Sequence, residues 1–206
     1  MNIMGRIVQK RTLETRARLV AEAEKLIDRN GFEALRVEDV VRAAGVAKGT
    51  FFAHFRDKDA LMDRLIGARL DTILDAMDLE TGIRDIRDLV ARMGPMLTFM
   101  TCERYVFDVI LRYSGAAAQE DIGPIATTFA RQIDVFASWI EHGPFRRDVP
   151  VAILAEGVQA FAVQVMALRF CALHAAQGLH APLETYLAAW LLPPQPSARS
   201  SRNTAP

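Results

Sequence analysis

The chain has 206 residues, of which 51% are hydrophobic, and its 25 basic and 25 acidic side chains give a formal net charge of zero. A chain of this length can bury a sizeable core, and the apolar content excludes wholesale disorder. The charge is unevenly spread: residues 1–66 hold 13 Lys and Arg against 10 Asp and Glu, whereas residues 67–206 hold 12 against 15. A mildly basic N-terminal part on an acidic remainder is typical of a nucleic-acid-binding domain joined to one that binds something else.

Neither membrane insertion nor secretion is expected from the sequence. The longest apolar segment, residues 151–176, is interrupted by polar side chains, whereas a membrane span needs about 18 nearly unbroken apolar residues. Basic residues near the N-terminus leave no room for the apolar core of a signal peptide. Cys102 and Cys171 lie far apart in apolar contexts, so we expect both to be reduced core residues. These features predict a cytoplasmic protein without a metal site or a cofactor.

The pattern predicts an all-α fold, because no stretch alternates apolar and polar residues as a strand does. Residues 1–11 are expected to form a short, basic, mobile arm. A first helix should run over about 12–30 and end at Gly31 in a left-handed conformation. Two short helices should follow at about 37–44 and 48–55. A fourth should begin after Asp57, as its N-cap, and continue to about Met77.

Glycine and proline residues divide the rest of the chain into further helices. We expect these at about 84–100, 102–114, 124–142, 151–177 and 183–192, with Gly94-Pro95 kinking the first of them. This gives about nine helices in all. Residues 193–206, rich in Pro and Ser, are expected to be a disordered tail.

Residues 36–55 read as a helix-turn-helix with its tight turn at Ala44-Gly45-Val46. Phe51 and Phe55 are four residues apart and should pack into the core. The opposite face would approach base edges in a DNA major groove, flanked by residues placed to pair with phosphates. The candidate DNA contacts are Arg36, Lys48, Gly49, Thr50, Phe52, Ala53, His54 and Lys58.

Structural roles remain open for two of these residues, Phe52 as part of the core and His54 as a surface or capping residue. Helix-turn-helix shapes also occur in helical proteins that do not bind DNA. The pattern without further support therefore leaves DNA binding undecided.

Residues 13–73 resemble the DNA-binding domain of the TetR family of transcriptional regulators. The matching residues are Gly31-Phe32, Val37-Glu38-Asp39-Val40-Val41, Ala44-Gly45-Val46, Lys48-Gly49-Thr50-Phe51-Phe52-Ala53-His54-Phe55, Lys58 and Leu61. The resemblance implies a DNA-binding domain over 13–73, with the helix-turn-helix at 36–55, followed by a ligand-binding and dimerisation domain over 82–192. Over that second part the likeness is limited to length and helix count.

The chain departs from the family pattern at a few positions. Leu35 and Arg36 stand where Thr or Ser is common. Ala47 replaces a Ser or Thr that would cap the third helix, a contribution of about 1 kcal/mol. Phe52 stands where Tyr is common, which removes a phenolic phosphate contact. These changes affect individual contacts and leave the groove-reading geometry intact.

The resemblance implies a homodimer through the last two helices, residues 151–192, which would place two recognition helices about one DNA turn apart on a near-palindromic operator. The apolar surplus of residues 151–177 agrees with this, although a central core helix in a monomer is the alternative. A small apolar or aromatic ligand would bind among the helices of the second domain and release a repressor by shifting helix 4, with a coupling of about 1–3 kcal/mol. The candidate ligand-lining residues, any of which could instead be plain core, are Met96, Phe99, Met100, Tyr105, Phe107, Phe129, Gln132, Trp139, Phe161, Gln164, Met166 and Arg169.

Two other classes of function fit the sequence less well. An enzyme is disfavoured, because the four histidines lack metal-ligand spacing and no nucleophile motif or phosphate-binding loop is present. A helical small-molecule-binding protein that has lost operator binding is favoured by Ala47 and Phe52, and disfavoured by Lys48, Thr50, His54 and Lys58. A transcriptional activator of the same fold also stays open.

Overall fold

The computed structural model describes residues 3–79, 82–114, 122–171 and 178–193. These residues form α-helices joined by turns and contain no strand, so the predicted all-α class is confirmed. Nine helices lie in the described part of the chain: α1 Ile3–Asn30, α2 Val37–Ala43, α3 Lys48–Phe52, α4 Lys58–Asp78, α5 Ile86–Met100, α6 Arg104–Tyr113, α7 Pro124–His142, α8 Val151–Arg169 and α9 His180–Leu191.

The prediction of a mobile arm is wrong for residues 3–11, because α1 begins at Ile3 and continues without a break to Asn30. Lys10 and Glu14, one turn apart, form an exposed ion pair at 3.9 Å, which favours the helix over this stretch. The third helix is shorter than predicted and ends at Phe52. Apart from Pro193, the predicted tail lies outside the described residues, as does the segment 172–177.

The predicted helix ends are confirmed at two places. Gly31 adopts φ +83°, and its N–H donates to the carbonyl oxygen of Ile27 at 2.8 Å, which ends α1. Asp57 caps α4, since its Oδ1 accepts from the N–H of Ala60 at 2.7 Å. Pro95 lies inside α5 without ending it.

The chain divides into two compact units. The first comprises Met1–Glu80 with Met93–Val135, and the second comprises Thr81–Arg92 with Phe136–Pro206. These two units are defined by how the chain packs. The predicted domains, 13–73 for DNA binding and 82–192 for ligand binding and dimerisation, are defined by function and stay a prediction.

In the first unit, α4 is the central helix and packs against α1 and α6. Its fully buried side chains include Leu61, Met62 and Ile66. At Gly67 the helix closely approaches the start of α7, where an added Cβ would lie 2.5 Å from that of Pro124. Asp63, one turn earlier, is buried and accepts from the N–H of Ile125 at 3.1 Å. Burial raises the pKa of Asp63, and the Ile125 hydrogen bond partly offsets that effect.

In the second unit, α8 packs against α9. Gly157 leaves room for the indole of Trp190, whose Nε1 donates to the carbonyl oxygen of Leu154 at 3.0 Å. By length and composition, α8 is the one described helix apolar enough to cross a membrane, with a mean hydropathy of 1.8, yet only 33% of that stretch is buried. Its outward side includes Ile153, which is 46% exposed. The apolar character of α8 therefore exceeds what its own unit buries.

Both cysteines are free, as predicted, but Cys102 is exposed and Cys171 is half-buried. The prediction of two core cysteines is therefore wrong. Cys102 lies in the turn between α5 and α6, where its side chain is exposed. The described residues contain no group of three or more His, Cys, Asp or Glu side chains that could hold a metal ion.

Candidate nucleic-acid interface

The segment α2–turn–α3 has helix-turn-helix geometry. The turn residue Gly45 adopts φ +63°, a conformation that glycine takes without strain. Val40, Val41 and Phe51 are buried, and Phe55 after α3 is buried beside Phe51, with ring centroids 5.5 Å apart. The apolar sides of α2 and α3 therefore hold the segment on the first unit, as the spacing of the two phenylalanines predicts.

The outward side of α3 presents most of the candidate DNA contacts. Lys48, Gly49, Phe52 and Ala53 are exposed, while Thr50 and His54 are half-buried. Phe52 is 48% exposed and touches the edge of Phe51, so it is a surface residue here and does not belong to the core. Short side chains beside Lys48 leave its end of α3 open to close approach by a nucleic acid.

Arg36, a candidate phosphate contact, lies outside α3. Arg36 is exposed at the N-cap position of α2, where its side chain makes no capping bond. Ala47 likewise gives α3 no side-chain cap, as its methyl group requires. Neither N-cap side chain therefore accepts from an N–H group of the first turn, and such groups can donate to a phosphate.

Lys48 is paired within the segment in the free protein. Its Nζ lies 2.6 Å from Oε1 of Glu38 on α2, and both side chains are more than half exposed. The hydrogen bond from Lys48 lowers the pKa of Glu38, so the carboxylate stays ionised at neutral pH. A nucleic acid that binds the Lys48 ammonium group must therefore displace the Glu38 carboxylate.

Lys58 has a different environment from the other candidate cations. Its Nζ lies 4.5 Å from the centre of the Tyr105 ring on α6 and donates to the carbonyl oxygen of Glu33 at 3.3 Å. Burial lowers the pKa of Lys58, which is the largest effect on that group. The residue thus joins α4 to α6 and to the turn before α2, in addition to its position near the recognition segment.

Glu103, which sequence reasoning missed, binds the turn between α1 and α2. Its Oε1 accepts from the N–H of Phe32 and its Oε2 from the N–H of Glu33, both at 2.8 Å. Glu103 precedes α6 yet does not cap it. Its partners are 70 and 71 residues away in sequence, so no local pattern marks the interaction.

A second contact between α6 and α4 is formed around Asp59. The Tyr105 hydroxyl donates to Oδ1 of Asp59 at 3.0 Å, and Arg112 donates to Oδ2. Burial, with the nearby Asp59 carboxylate, raises the pKa of Tyr105 well above its usual range, so the hydroxyl remains a donor. We call Glu103, Tyr105 and Arg112 the α6 clasp, because they attach α6 to both ends of the helix-turn-helix segment.

The candidate ligand-lining residues are distributed over both units. In the first unit Met96, Met100, Phe107, Phe129 and Gln132 are buried, Tyr105 belongs to the α6 clasp, and Phe99 is half-buried. In the second unit Trp139 and Met166 are buried, Phe161 stacks on Tyr186 at 5.4 Å, and Gln164 and Arg169 are exposed. Nothing in these positions decides whether any of them touches a ligand, so the assignment stays a prediction.

A cleft of about 530 Å³ lies in the first unit. Phe99 is the one candidate ligand residue on its wall, and it meets Phe32 edge-on with ring centroids 5.9 Å apart. Glu103 and Cys102 lie at the same wall. The cleft therefore opens beside the turn that Glu103 holds.

Comparison with known proteins supports the predicted resemblance. Residues 19–65 match the model of the bacterial regulatory proteins, tetR family. An uncharacterized HTH-type transcriptional regulator, YvdT of Bacillus subtilis, is 26% identical over 136 residues, which span 64% of this chain and 66% of that protein. The aligned part of the chain thus falls just short of two thirds of that relative.

Solved structures share the fold. The chain is similar to FadR of Thermus thermophilus, a TetR-family repressor in complex with lauroyl-CoA, with a TM-score of 0.60 and 18% identity over 85% of this chain and 92% of that one. It is also similar to SmeT in complex with triclosan, with a TM-score of 0.54 and 17% identity over 86% and 92% of the two chains. At these identities the likeness concerns the fold.

Proposed function

We propose that the chain, whose residues 19–65 match the model of the bacterial regulatory proteins, tetR family, is a DNA-binding transcriptional regulator of that family and acts as a repressor in the cytoplasm. The observation that carries the proposal is the helix-turn-helix with Lys48, Gly49, Phe52 and Ala53 exposed together on α3. Lys48 and Thr50 would read base edges, while Arg36 and His54 would contact phosphates or bases. Phe52 would contact a thymine methyl group or a sugar.

The regulator would bind a near-palindromic operator as a homodimer through α8 and α9. Support comes from α8, whose mean hydropathy is 1.8 although only 33% of it is buried. A second copy of the chain would cover the exposed apolar side chains such as Ile153. No catalytic step and no cofactor enter this proposal.

A small apolar or aromatic ligand would release the operator. The two structural relatives named above hold an acyl-CoA and triclosan, respectively, and both ligands have apolar parts. Here the α6 clasp supplies the route, because a ligand that displaces α6 would act on Phe32, Glu33 and Asp59 through it. The ligand would then change the separation of the two α3 helices.

Selection of bound duplexes from a random DNA library, followed by mobility shifts at several salt concentrations, tests the proposal. Lys48→Ala should weaken binding to the selected duplex by about 10-fold or more, since a good base contact contributes about 1–3 kcal/mol. Lys25→Ala, which removes an exposed lysine near the C-terminal end of α1, is the control. If no sequence is enriched and binding stays non-specific, the alternative of a small-molecule-binding protein without operator binding replaces the proposal.

The dimer is tested separately by sedimentation. Ile153→Asp should shift the protein to monomer, because it places a charge on the uncovered side of α8. Leu79→Asp, at a residue that is 85% exposed after α4, is the matched control. An unchanged association state in Ile153→Asp would contradict the proposed interface.

A further inference from the structure

The N-terminal part of α1 projects beyond the core of the first unit. Leu19 is the first buried residue among those of α1 whose side chains the structure describes. From Gln9 to Arg18 every residue is exposed except Thr15, which is half-buried. A helix of this kind gains little from packing, so its surface is available to a partner.

The exposed stretch carries a basic strip along one side. Lys10 and Arg18 are eight residues apart, and Arg11 lies next to them, so the three fall within about a quarter of the helix circumference. Glu14 lies in the same strip and pairs with Lys10 at 3.9 Å, whereas Arg11 and Arg18 have no ion-pair partner among the described residues. The strip is therefore net positive and partly unpaired.

The direction of α1 places this strip, on the exposed side of the helix, level with the end of the recognition segment and beyond it. Ile27 and Asp28, near the end of α1, line the cleft together with Leu65 and Thr72 from the middle of α4. Nearer the start of α1, the Arg16 guanidinium lies 5.2 Å from the ring centre of Phe55, which follows α3 and precedes α4. The two helices thus run in the same direction, and the part of α1 before Arg16 extends past the beginning of α4 beside the end of the recognition segment.

We propose that the basic strip Lys10–Arg11–Arg18 binds the phosphate backbone of the DNA that flanks the site read by α3. This inference rests on the proposed function and adds a second contact surface to it. Lys10 lies about 9 Å along the helix beyond Arg16, so the strip reaches past the end of the recognition segment. Because its contacts are assigned to phosphates, the strip contributes affinity and register and reads no sequence.

The test compares two matched double variants. Lys10→Ala with Arg11→Ala removes one lysine that pairs with a nearby glutamate and one arginine without a described partner. Lys25→Ala with Arg29→Ala removes the same kinds of residue at the other end of α1, where Lys25 pairs with Glu22 at 2.7 Å. Circular dichroism and thermal melting confirm that each variant folds.

Affinity for the selected duplex is measured over a range of salt concentrations. Loss of four phosphate contacts per bound dimer, two in each protomer, should reduce the magnitude of the slope of log K against log [salt] by about 3.6, which equals about 150-fold in affinity change between 50 and 200 mM salt. The same reduction should appear with a scrambled duplex, because phosphates carry no sequence information. Glu14→Lys should steepen the slope, whereas Glu22→Lys should not.

Duplex length locates the contact. Extending the minimal selected site by about six base pairs on each side should tighten binding by the unsubstituted protein and by the Lys25–Arg29 variant, but not by the Lys10–Arg11 variant. A slope and a length dependence equal in both double variants would overturn the inference while leaving operator binding in place. If the unsubstituted protein binds no DNA, the proposed function itself fails. Binding of the strip to anionic lipid vesicles without any effect on DNA binding would also overturn the inference.

Discussion

The contact between Glu103 and the turn before α2 offers the sharpest test of how the helix-turn-helix segment is held. Glu103→Ala removes the carboxylate that accepts two hydrogen bonds of 2.8 Å from the N–H groups of Phe32 and Glu33. A hydrogen bond to an ionised group contributes about 1.5–3 kcal/mol, and less where water can replace it. The turn is only partly buried, since Phe32 is half-buried and Glu33 is exposed. We therefore expect the variant to lose about 2 kcal/mol in total.

This loss is measurable as a melting temperature. For a chain of this size, 1 kcal/mol corresponds to about 2–4 °C, so Glu103→Ala should melt about 4–8 °C below the unsubstituted protein. Glu103→Gln keeps one carbonyl oxygen as an acceptor and should lose roughly half as much. Calorimetry or circular dichroism at one fixed protein concentration gives the comparison, because an oligomer melts in a concentration-dependent way.

Glu24→Ala is the matched control, because Glu24 lines the same cleft and is exposed. It should melt within about 1 °C of the unsubstituted protein, as surface substitutions away from such contacts generally do. If Glu103→Ala behaves like Glu24→Ala, the two hydrogen bonds add nothing to stability. The inference that α6 restrains the turn before α2 would then be refuted.

Three further predictions follow from other contacts. Glu38→Ala should tighten DNA binding several-fold in a mobility shift, because Lys48 no longer has to leave its partner at 2.6 Å. Asp88→Asn should lower the melting temperature at pH 7. Hydrogen bonding lowers the pKa of Asp88 to about 2. The contribution of the Asp88 carboxylate to stability is therefore complete above the ordinary aspartate pKa near 4 and is lost as the pH falls through about 2. Gly67→Ala should destabilise the protein by about 1–3 kcal/mol in urea titration, because the new Cβ would lie 2.5 Å from that of Pro124.

Each of these has its own control. Asp39→Ala removes a carboxylate from the same helix as Glu38 without touching Lys48, and equal tightening by both would assign the effect to net charge. A difference between Asp88→Asn and the unsubstituted protein that is as large at pH 2 as at pH 7 would contradict the assigned pKa. Gly49→Ala, where the added Cβ has open space, should cost far less stability than Gly67→Ala.

The sequence determined the helical class and the recognition segment because both depend on local rules. Gly31 and Gly45 occupy left-handed positions that few other residues adopt, and Asp57 caps the helix that follows it. Phe51 and Phe55 share a helix side by their spacing, so their burial could be predicted without a structure. The prediction of a mobile arm was wrong because basic residues near a chain terminus do not preclude a helix, and residues 3–11 form the start of α1.

Only the tertiary structure decided what holds the segment and where its cations point. Lys58 matches the family pattern as a phosphate contact, but its position above Tyr105 depends on α6, which is distant in sequence. Glu103 carries no local signal because a carboxylate that accepts backbone N–H groups can come from any element that packs nearby. The position of the basic strip beyond the recognition segment follows from the parallel course of α1 and α4, which the periodicity of one helix does not contain.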